Sequence, residues 1–295
     1  MKHKKSISGT IFDVANAIFM VLFCISIIIP FWDMFMMPFS GAEEALALTM
    51  RFWPKKWYID AYVFAFRNSQ ILDAYLVTIA RTVIGVAFSL LVNISMAYSL
   101  SKKDLPFHNF LTILILIPMF FSGGLIPTYL LIRGLGLDNT FWVYVIPGAF
   151  GSYNVILLRN YFSNMDKNLE QAALIDGASN LRIMIQIVIP LAKPIIATVA
   201  LWGLVGHWNE WMSCLIYIKN TKLYTLQFIL RRMINDDRLL TDEMKQFNID
   251  NPSANFVTKN LQAAVTIITI APIMATYPFL QKYFVKGIMI GALKG

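Results

Sequence analysis

Six long apolar runs, at about residues 11–39, 72–100, 110–132, 140–161, 191–218 and 260–280, alternate with polar connections. Each reaches the roughly 20 residues that a helix needs to cross the hydrocarbon of a bilayer. The pattern predicts an all-α polytopic membrane protein with six transmembrane helices and both termini on one side. The first run begins like a secretory leader but is too long, and no small-residue cleavage pattern follows it, so it reads as a retained span. Asp33, beside Trp32 at its outer end, fits an interfacial position. Pro118, Gly123, Gly124 and Pro127 interrupt the third run, and Pro147, Gly148 and Gly151 the fourth. Such residues in membrane helices mark kinks or close helix approach. Of the longer connections, residues 40–70 carry Trp53, Trp57 and Tyr58 and suit a segment lying on the membrane surface. Residues 219–258 carry Arg231, Arg232, Asp236, Asp237, Asp242 and Glu243, a mixed charge that suits an outward surface meeting another protein.

One polar stretch, Leu169 to Pro194, has a different period. Ala172, Ala173 and Leu174 favour helix, and Gly177 with Ala178 predicts a small-sided bend. Ser179 or Asn180 is placed to cap a second helix, in which Leu181, Met184, Ile185 and Val188 recur at helical spacing. Pro190 and Pro194 are expected to stop it before the next span. A helix-turn-helix held just outside a membrane suits a docking knob for a soluble partner.

Composition agrees with the pattern. The chain is 57% hydrophobic and 14% charged, with a mean hydropathy of +0.60. That is too little polar surface for a soluble protein of 295 residues. The net charge of +8 therefore argues for contact with membrane lipid, not nucleic acid. Lys and Arg are shared evenly between the two sides of the six-span layout, so charge alone does not orient it. The acid-free MKHKKSISGT before the first span favours cytoplasmic termini. Cys24 and Cys214 lie in apolar runs and read as small hydrophobes. His3, His108 and His207 are scattered, and no metal or nucleophile constellation is apparent, so no catalytic residue is assigned.

Polar groups inside the spans are the other candidates for function. Arg81 and Asn93 face protein or a water-filled path, or Arg81 snorkels to the outer interface. Tyr153 and Asn154 in the fourth run, and Trp208, Asn209, Glu210 and Trp211 in the fifth, combine aromatic faces with amides and a carboxylate. A sugar path wants both kinds of group. An aromatic belt with polar helix–helix contacts explains the same residues.

The Leu169–Pro194 stretch resembles the EAA loop of permease subunits of binding-protein-dependent ABC importers. Glu170, Ala172, Ala173, Asp176, Gly177 and Pro190 fill its pattern, while Gln171 stands where that family commonly has glutamate. AYSLSKKDLP, FSGGLIPTYLLIRGLGLDNTFW, GHWNEW and YPFLQKYFVKGIMIGALKG extend the likeness from Tyr98 to Gly295. They resemble carbohydrate-importer permeases of the polysaccharide, alginate-oligosaccharide and aldouronate subgroup. The closing VKGIMIGALKG resembles the maltose-importer permease tail that reaches into the ATPase dimer.

That resemblance implies a type I ABC importer fold in the inner membrane. It implies a cytoplasmic amino terminus (1–10), a six-helix permease domain (11–285) with a coupling loop at 165–190 and an extracytoplasmic loop at 219–258, and a cytoplasmic tail (286–295). Leu169, Glu170, Gln171, Ala172, Ala173, Asp176, Gly177 and Ala178 would contact an ATPase, as would Lys286, Gly287, Gly291, Lys294 and Gly295. The implied partners are a second homologous permease, two ATPase subunits that hold ATP and Mg, an extracytoplasmic sugar-binding protein and an oligosaccharide. This chain itself would hold no cofactor. A secondary active sugar transporter without an ATPase is the alternative, and an intramembrane enzyme would have only Glu210 and Asn154 to use.

Overall fold

The computed structural model describes residues 7–47, 49–235 and 241–292, and every regular element among them is helical. Lys294 and Gly295 of the tail, Lys2, Lys4 and Lys5 of the amino terminus, and Asp236 and Asp237 lie outside the described residues. The chain divides into two compact units, Met1–Asn68 with Arg232–Ile268, and Ser69–Arg231 with Thr269–Gly295. In order, the helices are α1 (Ile7–Met36), α2 (Ala42–Leu46), α3 (Asp60–Arg67), α4 (Ser69–Ser101), α5 (His108–Phe120), α6 (Leu125–Gly134) and α7 (Ser152–Ser163). They continue as α8 (Lys167–Ile175), α9 (Asn180–Leu191), α10 (Lys193–Asn209), α11 (Met212–Tyr217), α12 (Leu226–Asn235), α13 (Thr241–Asp250) and α14 (Thr258–Ala292).

In the first unit α1 and the turn after it form an apolar stretch, Gly9–Phe39, whose most apolar 18 residues include none that is buried within the chain. Its C-terminal end is tied down by polar contacts. Arg51 donates its backbone N–H to Asp33 at 2.7 Å and pairs with the same carboxylate through its guanidinium at 3.4 Å. Asn260 donates to the carbonyls of Met37 and Ser40 at 2.7 and 2.9 Å. Phe64, Phe247 and Phe256 pack ring against ring. Trp53 and Trp57 stay exposed and meet edge to face, which fits the surface-lying segment expected there.

The second unit is built on α4, a continuous apolar helix that α7 and α10 pack against. Gly85 permits the close approach of α10, since a Cβ there would sit 2.5 Å from the His207 ring. Around α4 the chain breaks repeatedly, and the third, fourth and fifth apolar runs are not straight helices. α5 and α6 meet at 118°. The break is at Gly124 (φ +82°), while Pro118 stays inside α5 and Pro127 falls in the first turn of α6, where no N–H is needed. The fourth run has a 3₁₀ turn (Phe141–Tyr144), then non-helical backbone over Pro147, Gly148 and Gly151, and only then α7. The fifth breaks between α10 and α11 at Glu210 and Trp211. The connection expected as a polar loop at 219–258 also contains helix, because Leu226, Phe228, Ile229 and Met233 give α12 an apolar side that is buried.

Each break exposes backbone groups that hydrocarbon cannot satisfy, and α4 supplies partners for two of them and for the start of α12. Asn93, fully buried, donates to the Ala149 carbonyl at 3.0 Å and accepts from Gly151 N–H at 3.0 Å. Thr78 accepts the N–H of Leu226, which opens α12, at 2.8 Å. Arg81 donates to the Glu210 carbonyl at 2.8 Å. Replacing Asn93 with leucine strands a carbonyl and an N–H in the core, at about 1–3 kcal/mol each. The expected outcome is a fall of several degrees in the thermal unfolding midpoint of the detergent-purified protein. An unchanged midpoint would show that Asn93 does not hold the break.

Candidate functional site

The bend at Gly177 is determined by local chemistry. Asp166 caps α8, accepting the Asn168 N–H at 3.0 Å. At the far end Gly177 N–H donates to the Leu174 carbonyl (3.0 Å) and Ala178 N–H to that of Ala173 (2.9 Å), with Gly177 at φ +78°. This is a Schellman ending, which favours glycine because it alone carries no Cβ into that conformation. Of the two candidate caps for α9 the structure uses Ser179, which accepts from Arg182 N–H at 3.4 Å.

The turn of the bend decides what it presents. Ala173 and Ala178 pack inward against a core that contains Ile183 and Val188. Leu169, Leu174, Ile175 and Leu181 remain exposed, Ile175 at 86%. Of the four residues at helical spacing, Met184 and Val188 pack while Leu181 and Ile185 point outward, and Ile183 and Ile187 complete the packed face. The packed residues repeat at i, i+1, i+4 and i+5, an ordinary helical face, and a π-turn follows over Met184–Val188, in which Ile189 N–H reaches back to the Met184 carbonyl. A widened turn accommodates Pro190, which has no N–H to give. Pro190 thus does not end the helix, and the chain turns by 84° between α9 and α10, at Ala192. Glu170 forms an ion pair with Lys102, just past the end of α4, while Gln171 and Asp176 are exposed.

A cavity of about 380 Å³ lies within the second unit, lined by Arg81, Tyr144, Asn154, Trp202, His207 and Glu210, among others. The Arg81 guanidinium, almost wholly buried, pairs with the Glu210 carboxylate at 2.9 Å and lies over the Tyr144 ring at 4.5 Å. Its Nε–H has no partner. The other Glu210 oxygen accepts the Ser213 N–H at 2.7 Å, so this carboxylate also caps α11. Arg81 faces protein and a cavity here and does not snorkel outward.

Of the six residues expected along a sugar path, the cavity is lined by Asn154 and Glu210. Trp208 is buried elsewhere, donating to the Thr269 carbonyl at 2.9 Å. Asn209 accepts from Gln227, and Trp211 lies under the Arg231 guanidinium at 3.7 Å. Tyr153 is exposed, tilted against Trp202, which does line the cavity. Sequence reasoning missed Trp202. The signal was its spacing on α10, where Trp202, Gly203, Gly206 and His207 fall on one face. Lys286, Gly287 and Gly291 lie along α14. Among the described residues no group of His, Cys, Asp and Glu is gathered for a metal.

Helical elements throughout the described residues, broken apolar runs around one continuous helix, a polar cavity and an exposed helical bend suit a membrane permease. The chain belongs to the family of binding-protein-dependent transport system inner membrane components, whose sequence pattern matches residues 3–290. Among relatives, Protein LplC of Bacillus subtilis (strain 168) is 37% identical, over 98% of this chain and 96% of that one. The polygalacturonan/rhamnogalacturonan transport system permease protein YtcP of the same organism is 33% identical, over 97% and 99%. A chain in the crystal structure of a bacterial ABC transporter involved in the import of the acidic polysaccharide alginate superposes with a TM-score of 0.88, at 29% identity over 95% of this chain and 99% of that one. The fold is that of a type I importer permease, all-α and polytopic, and such a subunit is non-catalytic.

The buried pair yields a test. Arg81→Met leaves the Glu210 carboxylate and carbonyl without their partner and is expected to cost about 2–3 kcal/mol. The double variant Arg81→Met/Glu210→Met should cost less than the sum of the two single changes. Additive losses in thermal unfolding would show that the two side chains are not coupled.

Proposed function

We propose that the chain is one of two homologous permeases in an ATP-driven importer of polysaccharide-derived oligosaccharides, with both termini and the Gly177 bend in the cytoplasm. Two ATPase subunits, which hold ATP and Mg, dock beneath it, and an extracytoplasmic sugar-binding protein delivers the substrate from above. The reading is supported by the relatives that transport polygalacturonan, rhamnogalacturonan and alginate. One observation carries the docking role: Leu169, Leu174, Ile175 and Leu181 are all exposed on a bend capped at Asp166 and Ser179. Exposed apolar groups of this kind mark a surface that a partner covers. Glu170, Gln171, Ala172, Ala173, Asp176, Gly177 and Ala178 form or support it. The tail at Lys286, Gly287, Gly291, Lys294 and Gly295 is a second proposed ATPase contact.

In the mechanism, ATP binding closes the ATPase pair, the docking bend moves with it, and the two permeases pass between inward- and outward-facing states as rigid bodies. The Trp202 face and the Asn154 amide, beside Arg81 and Glu210, offer the stacking surface and hydrogen-bonding groups that a saccharide requires.

Gly177→Pro cannot adopt a positive φ. It is expected to abolish copurification of the ATPase subunits while the second permease stays bound. Retained ATPase and uptake would refute the docking role. Trp202→Ala is expected to raise the substrate concentration for half-maximal uptake about tenfold, equivalent to ~1.4 kcal/mol of binding. Unchanged uptake by an assembled complex would remove this cavity from the path. Uptake that persists in vesicles without ATP would favour a secondary carrier.

A further inference from the structure

Glu170 lies in the docking bend, yet its carboxylate does not face outward. It is largely buried and paired with the Lys102 ammonium, which also lies over the Tyr98 ring at 4.6 Å. Tyr98 is itself buried, in the same cluster as Ile183 and Val188 of α9. The ion pair therefore bolts α8 to the end of α4 at a place where the apolar core already joins α4 to α9. Pairs that are partly withdrawn from water and held against an aromatic face are less screened than surface pairs.

From Lys102, α4 runs without a break back to Arg81, about 30 Å away at 1.5 Å per residue. There Arg81 grips Glu210 at the break between α10 and α11 and lines the cavity. One helix thus has an ion pair to the docking bend just past its C-terminal end and an ion pair to the cavity wall near its middle. A helix does not shorten under load without losing hydrogen bonds, so a displacement applied at that end arrives at Arg81.

Building on the importer reading, we propose that Lys102 and Glu170 are positioning residues that latch the docking bend to α4, so that movement of the bend displaces the Arg81–Glu210 pair at the cavity. The latch acts within this chain, and Glu170 is not held for the ATPase. Its loss uncouples ATP hydrolysis from transport without releasing the ATPase subunits.

The test uses the complete complex in proteoliposomes. With Lys102→Gln, the ATPase subunits copurify and basal hydrolysis is unchanged, while uptake per ATP hydrolysed falls about tenfold, within the usual range of coupling between sites. The charge-exchanged variant Lys102→Glu/Glu170→Lys restores that ratio, a rescue that a merely structural contribution of either side chain would not predict. Two results would overturn the latch: unchanged coupling in Lys102→Gln, or a Glu170→Gln complex that loses its ATPase while Lys102→Gln behaves as wild type. The latter would mean that the carboxylate serves the partner. If the wild-type chain brings down no ATPase at all, the importer reading falls instead, a separate failure because the latch is scored only on assembled complexes.

Discussion

A backbone N–H or carbonyl that leaves a helix inside hydrocarbon has no water to turn to, and this constraint organises the second unit. The chain breaks within apolar runs at Gly151 and at Glu210, and at both a polar side chain of α4 supplies a partner, as Thr78 does for the start of α12 in the polar connection that follows. α4 can do so because it is the continuous span around which the broken ones pack. Asn93 is the clearest case. One amide donates to a carbonyl and accepts from an N–H on the two sides of a single break, and it is fully buried while doing so.

The same helix joins the two places where function is concentrated. Arg81, near its middle, meets the cavity, and Lys102, just past its C-terminal end, meets the docking bend. The bend is stiffened by an Asp166 cap, a Schellman ending and a Ser179 cap in close succession. Rigid termini and an uninterrupted rod suit a structure that must pass on a displacement rather than absorb it. The irregular backbone of the unit lies at the glycine-containing breaks and at the π-turn beside Pro190.

Much of the architecture was legible in advance, and so was the place of the bend. Apolar length announced the spans, and Gly177 with Ala178 announced the turn. The shapes of the third, fourth and fifth runs were not legible. Hydropathy measures the preference of a stretch for lipid and is indifferent to whether it crosses straight or turns back at Gly124. Of the residues that the density of polar and aromatic groups singled out, Glu210 and Asn154 line the cavity, while Trp208 and Trp211 do not. Those two indoles are occupied by the Thr269 carbonyl and by Arg231, partners far away in the chain.

What depends on bonds within a few residues was legible in the chain alone: helical backbone in an apolar chain, a glycine turn at 177, and the positions where spans are weakened. These follow from chemistry that reaches no farther than one turn along the chain. Only the tertiary structure decided that Arg81 belongs to Glu210, 129 residues away, and Lys102 to Glu170, 68 away. It also decided that Leu181 faces out while Ile183 faces in. Those outcomes depend on how each helix is rotated against its neighbours, which contacts between distant parts of the chain settle.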